Sequence, residues 1–329
     1  MSLLKKEIKK IVDFESMAQI LKMKKLKITL PFVLLLVVIS LWAVYYTNNV
    51  ETKTIDDIAR KNAPGKFVAL SAGITHYEEA GADTAYTIIL VHGYSVPAYI
   101  WNPVYDNLVK EGFHVIKYDE FGRGYSDRPN VDYTPEFYRQ QLLDLIKALK
   151  IKTPIALAGL SFGGAVVGDF VVNNPALVDK VILIDPVFSF SKTGYGEFIN
   201  NYVMALEHEK RVSGQLEDFK YPQNFPDWAA KYKPQMQYKG FRHSLISTNA
   251  NYSGKTIKDN YKALNALHKK VLLIWGKEDQ TVTFNFSDSL RQLLNVRFLP
   301  IEDVGHLPHL EQPILVNSAI VSFLREKNQ

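Results

Sequence analysis

The alternation of apolar and polar positions divides the chain into one long apolar stretch and a body with strand and helix patterns. Nineteen residues without a charge occupy positions 28–46. At about 1.5 Å per residue they would form a helix of roughly 28 Å, close to the hydrocarbon thickness of a bilayer. Because this stretch has no polar face, it predicts a transmembrane helix rather than the buried helix of a soluble domain.

The charges on either side of this stretch predict its orientation. Four lysines precede it directly, at positions 22, 24, 25 and 27, whereas the basic residues that follow lie further away. This bias places the N-terminus in the cytoplasm and the body outside it, in a single-pass protein of the cell membrane. A secreted protein whose signal peptide is cleaved, with Met23, Lys24 and Lys25 as the charged start of that peptide, is the open alternative. For residues 1–22 the sequence leaves open whether Met1 or Met23 is the true start.

The body shows the pattern of an α/β fold with a long insert. Residues 47–66 are polar and predict a tether, and after a predicted hairpin the apolar strands alternate with helical segments over 67–186 and 262–329. Such alternation predicts a mostly parallel sheet with helices on both faces. Residues 187–261 break the pattern, are rich in aromatic residues and lack strand runs, which favours a cap or lid over a site. An insert that only adds stability is the alternative.

Composition narrows the possible chemistry. The 329 residues include 47% apolar residues, enough for a full core, and no cysteine, which excludes disulfides, thiolate catalysis and cysteine metal sites. The net charge is +5, but residues 1–27 alone hold eight lysines and three acidic residues. The excess positive charge therefore belongs to a basic N-terminal arm, and the body shows no sign of nucleic-acid binding.

The strongest chemical signal is the G-x-S-x-G stretch from Gly159 to Gly163, which lies between a strand pattern and a helix pattern. A serine in such a place forms a nucleophile elbow, a turn so sharp that the backbone is strained and the hydroxyl projects from the sheet edge. The flanking glycines are needed because a Cβ there would collide with the neighbouring strand or helix. Ser161 is therefore the predicted nucleophile.

A serine hydroxyl is a weak nucleophile without a base and an acid that orients the base. In this architecture the acid and the histidine follow the serine in that order. Asp279 is the candidate acid and His306 the candidate base, and each directly follows a predicted strand. Asp185, after an earlier strand, remains a rival for the acid, and His309 remains a rival for the base.

A further loop after a strand holds His92, Gly93 and Tyr94. The backbone N–H of Tyr94, together with that of Phe162, would form an oxyanion hole that stabilises negative charge on the substrate oxygen. We expect His92 to shape this loop rather than to take part in the chemistry.

Taken together, these motifs resemble the α/β-hydrolase family. The matching segments are residues 92–94, 119–129, the turn around Ser161, 275–279 and 305–306. The resemblance covers most of the body and is weakest in the insert. It implies an eight-stranded sheet, a triad of Ser161, Asp279 and His306, and hydrolysis through an acyl-enzyme. Asp119 and Arg123 are expected to brace the turn of the second segment.

The resemblance also narrows the reaction. Related dehalogenases and epoxide hydrolases attack with an aspartate, and related carbon–carbon bond hydrolases usually carry tryptophan after the catalytic histidine, where this chain has Leu307. A carboxylesterase or lipase-like enzyme with a small-molecule or lipid ester substrate is therefore expected, without a metal or an organic cofactor. Carbon–carbon bond hydrolysis, or ligand binding and signalling with little turnover, are the alternatives.

Overall fold

The computed structural model describes residues 29–190 and 195–327, so the predicted basic arm at 1–27 lies outside the described residues. The strands are β1 (Lys66–Leu70), β2 (Gly73–Ala80), β3 (Thr87–Val91), β4 (His114–Tyr118), β5 (Ile155–Leu160), β6 (Val178–Ile184), β7 (Lys270–Gly276) and β8 (Arg297–Ile301). They form one sheet in the order β1-β2-β4-β3-β5-β6-β7-β8. β2 is antiparallel to β1 and to β4, and the other pairs are parallel. The predicted mostly parallel, eight-stranded sheet is confirmed.

Thirteen α-helices occur in the described residues. They are α1 (Thr29–Asn48), α2 (Asp57–Lys61), α3 (Asn102–Lys110), α4 (Pro135–Ala148), α5 (Phe162–Asn173), α6 (Glu197–Leu206), α7 (His208–Gly214), α8 (Trp228–Tyr232), α9 (Phe241–Asn251), α10 (Gly254–Ala266), α11 (Asn285–Leu293), α12 (Pro308–Glu311) and α13 (Pro313–Arg325).

The central strands are covered on both faces, which explains their continuous apolar runs. In β3, Ile88 and Leu90 belong to one core cluster and Ile89 and Val91 to the other. Successive side chains of a strand point to opposite faces, so both sets become buried. Helices α3 and α13 contribute to the first cluster, and α4, α5 and α10 contribute to the second. The carboxyl ends of the parallel strands meet at one edge of the sheet, where loops gather functional residues.

Helix α1 forms a unit separate from the body, which begins at residue 50. It has 20 residues and ends at Asn48, two residues beyond the predicted span. By length and composition it is the one helix among the described residues that could cross a membrane. A signal sequence near an N-terminus has the same properties.

The segment predicted as a tether is bound to the body. The N–H of Lys53 donates to the carbonyl of Gln237 at 2.8 Å, and the N–H of Lys239 donates to the carbonyl of Lys53 at 2.8 Å. The Glu51 carboxylate accepts hydrogen bonds from the N–H of Arg242 at 2.6 Å and of Gly240 at 3.2 Å, at the start of α9. This segment is therefore hydrogen-bonded to the insert through Glu51 and Lys53.

The insert is helical in its described residues and contains α6 to α9. The next helix, α10, packs against α5, and Tyr261 is buried beside Gly168. The insert boundary predicted at residue 261 thus lies within a helix that packs on the core.

Candidate active site

Ser161 lies in the turn between β5 and α5, at the carboxyl edge of the sheet. Its φ of 52° and ψ of −116° are outside the helix and strand regions, which is unusual for a residue with a side chain. The neighbouring strand β6 and the loop after it hold this strained turn in place. The Ser161 N–H donates to the carbonyl of Ile184 at 2.9 Å, and the N–H of Val187 donates to the Ser161 carbonyl at 3.0 Å.

The two glycines of the G-x-S-x-G stretch are required by close backbone approach. A Cβ on Gly159 would lie 2.4 Å from the carbonyl oxygen of Gly163. A Cβ on Gly163 would lie 2.3 Å from the carbonyl oxygen of Val91, on β3. Because neither distance is possible for a carbon–oxygen contact, any side chain would displace the turn that carries Ser161.

Asp279 follows β7 and His306 follows the neighbouring strand β8, and both are buried. The Nδ1 of His306 lies 2.7 Å from the Oδ2 of Asp279. The other carboxylate oxygen accepts hydrogen bonds from the N–H groups of Thr281 at 2.8 Å and Val282 at 2.9 Å. The carboxylate is therefore held by three donors, and its bond to Nδ1 leaves Nε2 as the basic nitrogen of the His306 ring.

The charges around His306 increase its affinity for a proton. Burial of the ring lowers the pKa of His306, but the charge of Asp279, the hydrogen bond between the two residues and the charge of Asp218 outweigh burial. Together they raise the pKa above its ordinary value. The ring is therefore a stronger base than an isolated histidine.

The insert contacts the His306 loop directly. The N–H of His306 donates to the carbonyl of Asp218 at 2.7 Å, and the Thr281 hydroxyl donates to the Asp218 carboxylate at 2.6 Å. A Cβ on Gly305 would lie 2.6 Å from the Asp218 carbonyl oxygen and 2.8 Å from the nitrogen of Lys220. Asp218 was not identified from the sequence, because no local pattern reveals which part of an insert meets a distant loop.

The loop after β3 and the start of α5 hold the two backbone donors predicted for an oxyanion hole. Within residues 29–190 and 195–327, the N–H groups of Tyr94 and Phe162 have no hydrogen-bond acceptor. The Nδ1 of His92 lies 2.7 Å from the carbonyl of Gly93, and its Nε2 accepts from the N–H of Glu120 at 2.9 Å. Burial lowers the pKa of His92 to about 4, so the ring is neutral and its bonds fix the loop.

The same loop is connected to helix α9 of the insert through Arg123, which is fully buried. Its Nε donates to the carbonyl of Tyr94 at 2.9 Å, and its Nη2 donates to the hydroxyl of Thr248 at 3.2 Å. The Tyr94 hydroxyl itself donates to the carbonyl of Leu245. Asp119 accepts three hydrogen bonds of 2.8–2.9 Å, from a histidine ring and two backbone N–H groups. Both charged residues therefore brace the loops around the serine.

The two rival residues from the sequence lie in different settings. His309 is bonded through Nε2 to the carbonyl of Ile100 at 3.1 Å, and its partner is not an aspartate. Asp185 lies beside the pair, because one oxygen of each aspartate and one nitrogen of His306 are within 4.8 Å of one another. Among the described residues, these three side chains are the one group of histidine and acidic residues close enough together to ligate a metal ion. Two of them, His306 and Asp279, are already hydrogen-bonded to each other.

Aromatic side chains from the core and the insert surround the serine turn. The ring of Phe162 packs edge-on against Tyr252, with centroids 4.8 Å apart, and lies 5.8 Å from Phe190. The ring of Tyr94 lies 5.5 Å from that of Phe190. Phe162 and Tyr252 are buried, so this cluster packs the core beside the serine turn.

Comparison with known proteins gives related sequences and similar folds. A family model described as "Alpha/beta hydrolase family" matches residues 88–319. Lipase 1 of Psychrobacter immobilis is 25% identical over 244 residues, which cover 71% of this chain and 75% of the relative. The enol-lactonase from Burkholderia xenovorans LB400 is 20% identical with a TM-score of 0.69, covering 79% of this chain and 100% of that one. A meta-cleavage product hydrolase from Pseudomonas fluorescens IP01 is 23% identical with a TM-score of 0.65, covering 80% and 98%.

Proposed function

Because the chain belongs to the alpha/beta hydrolase family, we propose that it is a serine hydrolase that cleaves carboxylic esters through an acyl-enzyme on Ser161. One observation carries the proposal. A strained serine turn and a buried aspartate–histidine pair, Asp279 and His306, follow strands whose carboxyl ends form one edge of the sheet. This combination supplies a nucleophile, a base and an orienting acid.

In the proposed reaction, Nε2 of His306 takes the proton of the Ser161 hydroxyl while Oγ attacks the carbonyl carbon of the ester. Asp279 keeps its hydrogen bond to Nδ1 and stabilises the imidazolium that forms. The imidazolium then gives the proton to the leaving alcohol, and an acyl-serine remains. Water attacks the acyl-serine with His306 again as base, which releases the carboxylic acid and restores the serine.

The oxyanion of each tetrahedral intermediate would be stabilised by the backbone N–H groups of Tyr94 and Phe162. Loss of one such donor typically costs about 3 kcal/mol of transition-state stabilisation. The support for these two groups is that neither has an acceptor in the described part of the chain. Arg123 and His92 keep the Tyr94 loop in position through the hydrogen bonds described above.

Two observations favour an ester as substrate. The relative named Lipase 1 matches most of the body. Leu307 follows His306, at the position where related carbon–carbon bond hydrolases usually carry tryptophan. The solved meta-cleavage product hydrolase has a similar fold at 23% identity, so carbon–carbon bond hydrolysis is the alternative that experiments have to separate.

We also propose that helix α1 holds the enzyme in a membrane, with the body on the extracytoplasmic side. The length and apolar composition of α1 and the lysines before it support this location. Cell fractionation tests it. We expect the full chain in the membrane fraction after a carbonate wash, whereas a soluble extracytoplasmic protein that begins after Trp42 would identify a cleaved signal peptide.

The esterase proposal is tested on the full chain in detergent with p-nitrophenyl esters from acetate to palmitate. We expect multiple turnover by the wild type, loss of turnover in Ser161→Ala, and unchanged turnover in Ser213→Ala. Ser213 is an exposed serine of α7 and serves as the matched control. The preferred acyl length would indicate how much space an acyl group has beside the serine.

A fluorophosphonate probe tests the nucleophile without a substrate, because it forms a stable bond with an activated serine. Labelling of Ser161 without turnover on any ester would exclude ester hydrolysis and direct attention to carbon–carbon substrates. Absence of both labelling and turnover in a folded protein would contradict the hydrolase proposal and favour ligand binding without catalysis.

A further inference from the structure

Asp185 has an unusual environment for a carboxylate. It directly follows β6, is fully buried and has a φ of 42°. Its Oδ1 accepts a hydrogen bond from the N–H of Gly276 at 2.9 Å, whereas its buried Oδ2 has no hydrogen-bond partner among the described residues. A buried polar oxygen without a partner is destabilising, so the second oxygen requires an explanation.

The explanation lies in its closeness to Asp279. One oxygen of each aspartate and one nitrogen of His306 lie within 4.8 Å of one another. Two negative charges so close together in a buried site repel each other strongly, so the pair favours a single charge and one proton. The Asp279 carboxylate accepts three hydrogen bonds, and that of Asp185 accepts one in the described chain. Hydrogen bonds stabilise the charged form, which favours the charge on Asp279 and the proton on Asp185.

We infer that Asp185 is a neutral carboxylic acid whose Oδ2 donates a hydrogen bond to Asp279, and that it thereby positions the acid that orients His306. The inference rests on the proposed roles of Asp279 and His306. A proton on Oδ2 removes the repulsion and gives the oxygen a partner at the same time. The pKa of Asp185 is raised well above its ordinary value, first by burial and then by the charge of Asp279.

Two other acidic groups lie near this pair. Asp218 faces His306 from the insert, and its charge raises the pKa of the histidine. Glu311 is engaged by backbone donors, since its Oε2 accepts from the N–H of Gly305 at 2.7 Å and its Oε1 from the N–H of Lys220 at 2.9 Å. Both groups remain in all variants below, so they do not distinguish one variant from another.

Two substitutions of Asp185 test whether its role is to donate a hydrogen bond. One keeps an uncharged donor at this position and the other removes it. Asp185→Asn keeps an oxygen that accepts from Gly276 and gains an N–H that donates to Asp279, without a negative charge. Asp185→Gly removes the side chain and tolerates the positive φ. Lys150→Gly is the matched control for glycine, since Lys150 is exposed, has a φ of 54° and precedes the amino end of β5, whereas the site lies at the carboxyl ends of the strands. Asp279→Asn gives the reference for loss of the orienting acid.

On the best ester substrate, we expect Asp185→Asn to keep kcat within about threefold of the wild type, because an uncharged donor is retained. Asp185→Gly should lower kcat about tenfold to a hundredfold, the range for loss of a hydrogen bond to a charged group. Without this donor the charge of Asp279 acts more fully on His306, so the acid limb of kcat/KM should move to higher pH. A role in packing alone would lower kcat without moving this limb.

Infrared difference spectroscopy gives a readout that does not depend on turnover. We expect the wild type at neutral pH to show a carbonyl band of a protonated carboxyl group that is absent from Asp185→Asn. Burial also raises the pKa of Glu120 to about 8. The band of that residue is assigned separately with Glu120→Gln.

Three results would overturn the inference. These are loss of activity in Asp185→Asn as deep as in Asp279→Asn, an unchanged carbonyl band in Asp185→Asn, or an unmoved acid limb in Asp185→Gly. Failure of the esterase proposal looks different. In that case the wild type would have no turnover, while the carbonyl band would still be present in the wild type and absent from Asp185→Asn.

Discussion

From the hydrogen bonds of Glu51 we predict how much local stability helix α9 of the insert loses when this side chain is removed. Its carboxylate accepts from two backbone N–H groups at the start of α9, those of Gly240 and Arg242, at 3.2 and 2.6 Å. Glu51→Ala removes these bonds and the favourable interaction of a negative charge with the helix N-terminus. Loss of an N-terminal cap alone typically costs about 1 kcal/mol, and hydrogen bonds to a charged group contribute about 1.5 kcal/mol or more. We therefore expect α9 to lose about 2 kcal/mol of local stability.

Hydrogen exchange measures this loss directly. Since 1.4 kcal/mol corresponds to a factor of ten, about 2 kcal/mol should speed the exchange of the protected amides of α9 roughly thirtyfold. Asp56→Ala is the matched control, because Asp56 accepts from the N–H of Ala59 at 2.9 Å and caps α2 in the same N-terminal segment. In the Asp56→Ala variant, the amides of α9 should exchange at the wild-type rate.

Either of two results would refute the reasoning. Exchange in α9 that is unchanged by Glu51→Ala would mean that the carboxylate does not hold the helix. An equal increase in Asp56→Ala would mean that the whole segment, rather than the bonds of Glu51, stabilises α9.

Three further predictions concern the site. Because the base form of His306 is required and its pKa is raised, the acid limb of kcat/KM should have a midpoint above the ordinary pKa of a histidine, and a midpoint below that ordinary value would contradict the proposed environment. Gly163→Ala should lower the free energy of unfolding by about 1–3 kcal/mol and reduce fluorophosphonate labelling, whereas Gly214→Ala, where a Cβ meets no atom within 4 Å, should do neither. Tyr94→Phe should destabilise the protein by about 1 kcal/mol in urea, because the carbonyl of Leu245 loses its hydroxyl donor, and wild-type stability would argue against that bond.

Sequence patterns predicted the sheet well because each signal is local. The apolar runs of β3, β5, β6 and β7 reflect burial on both faces, which leaves no polar alternation to interpret. The turn at Ser161 was predicted because its glycines and the flanking strand and helix patterns are adjacent in the chain.

The contacts that tertiary packing creates were not predictable in this way. The hydrogen bond from the N–H of His306 to the carbonyl of Asp218 joins two backbone groups. Because every residue has a backbone carbonyl, the residue type at position 218 does not reveal this bond. Residues 47–66 predicted only a polar tether, since nothing in their sequence indicates that Glu51 meets a helix more than 180 residues away. The proximity of Asp185 to Asp279 depends on β6 and β7 being neighbours in the sheet, and the sequence alone left the two aspartates as rivals.

The contact between the insert and the histidine loop limits how this enzyme could be recombined with its relatives. Residues 218–220 reach the loop so closely that position 305 has no room for a side chain, and the Asp218 carbonyl holds the N–H of His306. A chimera that exchanged the insert alone would have to reproduce this backbone path to within a few tenths of an ångström. Residues 218–220 and 305–306 therefore have to be exchanged together, and grafts that transfer both segments should keep His306 ordered.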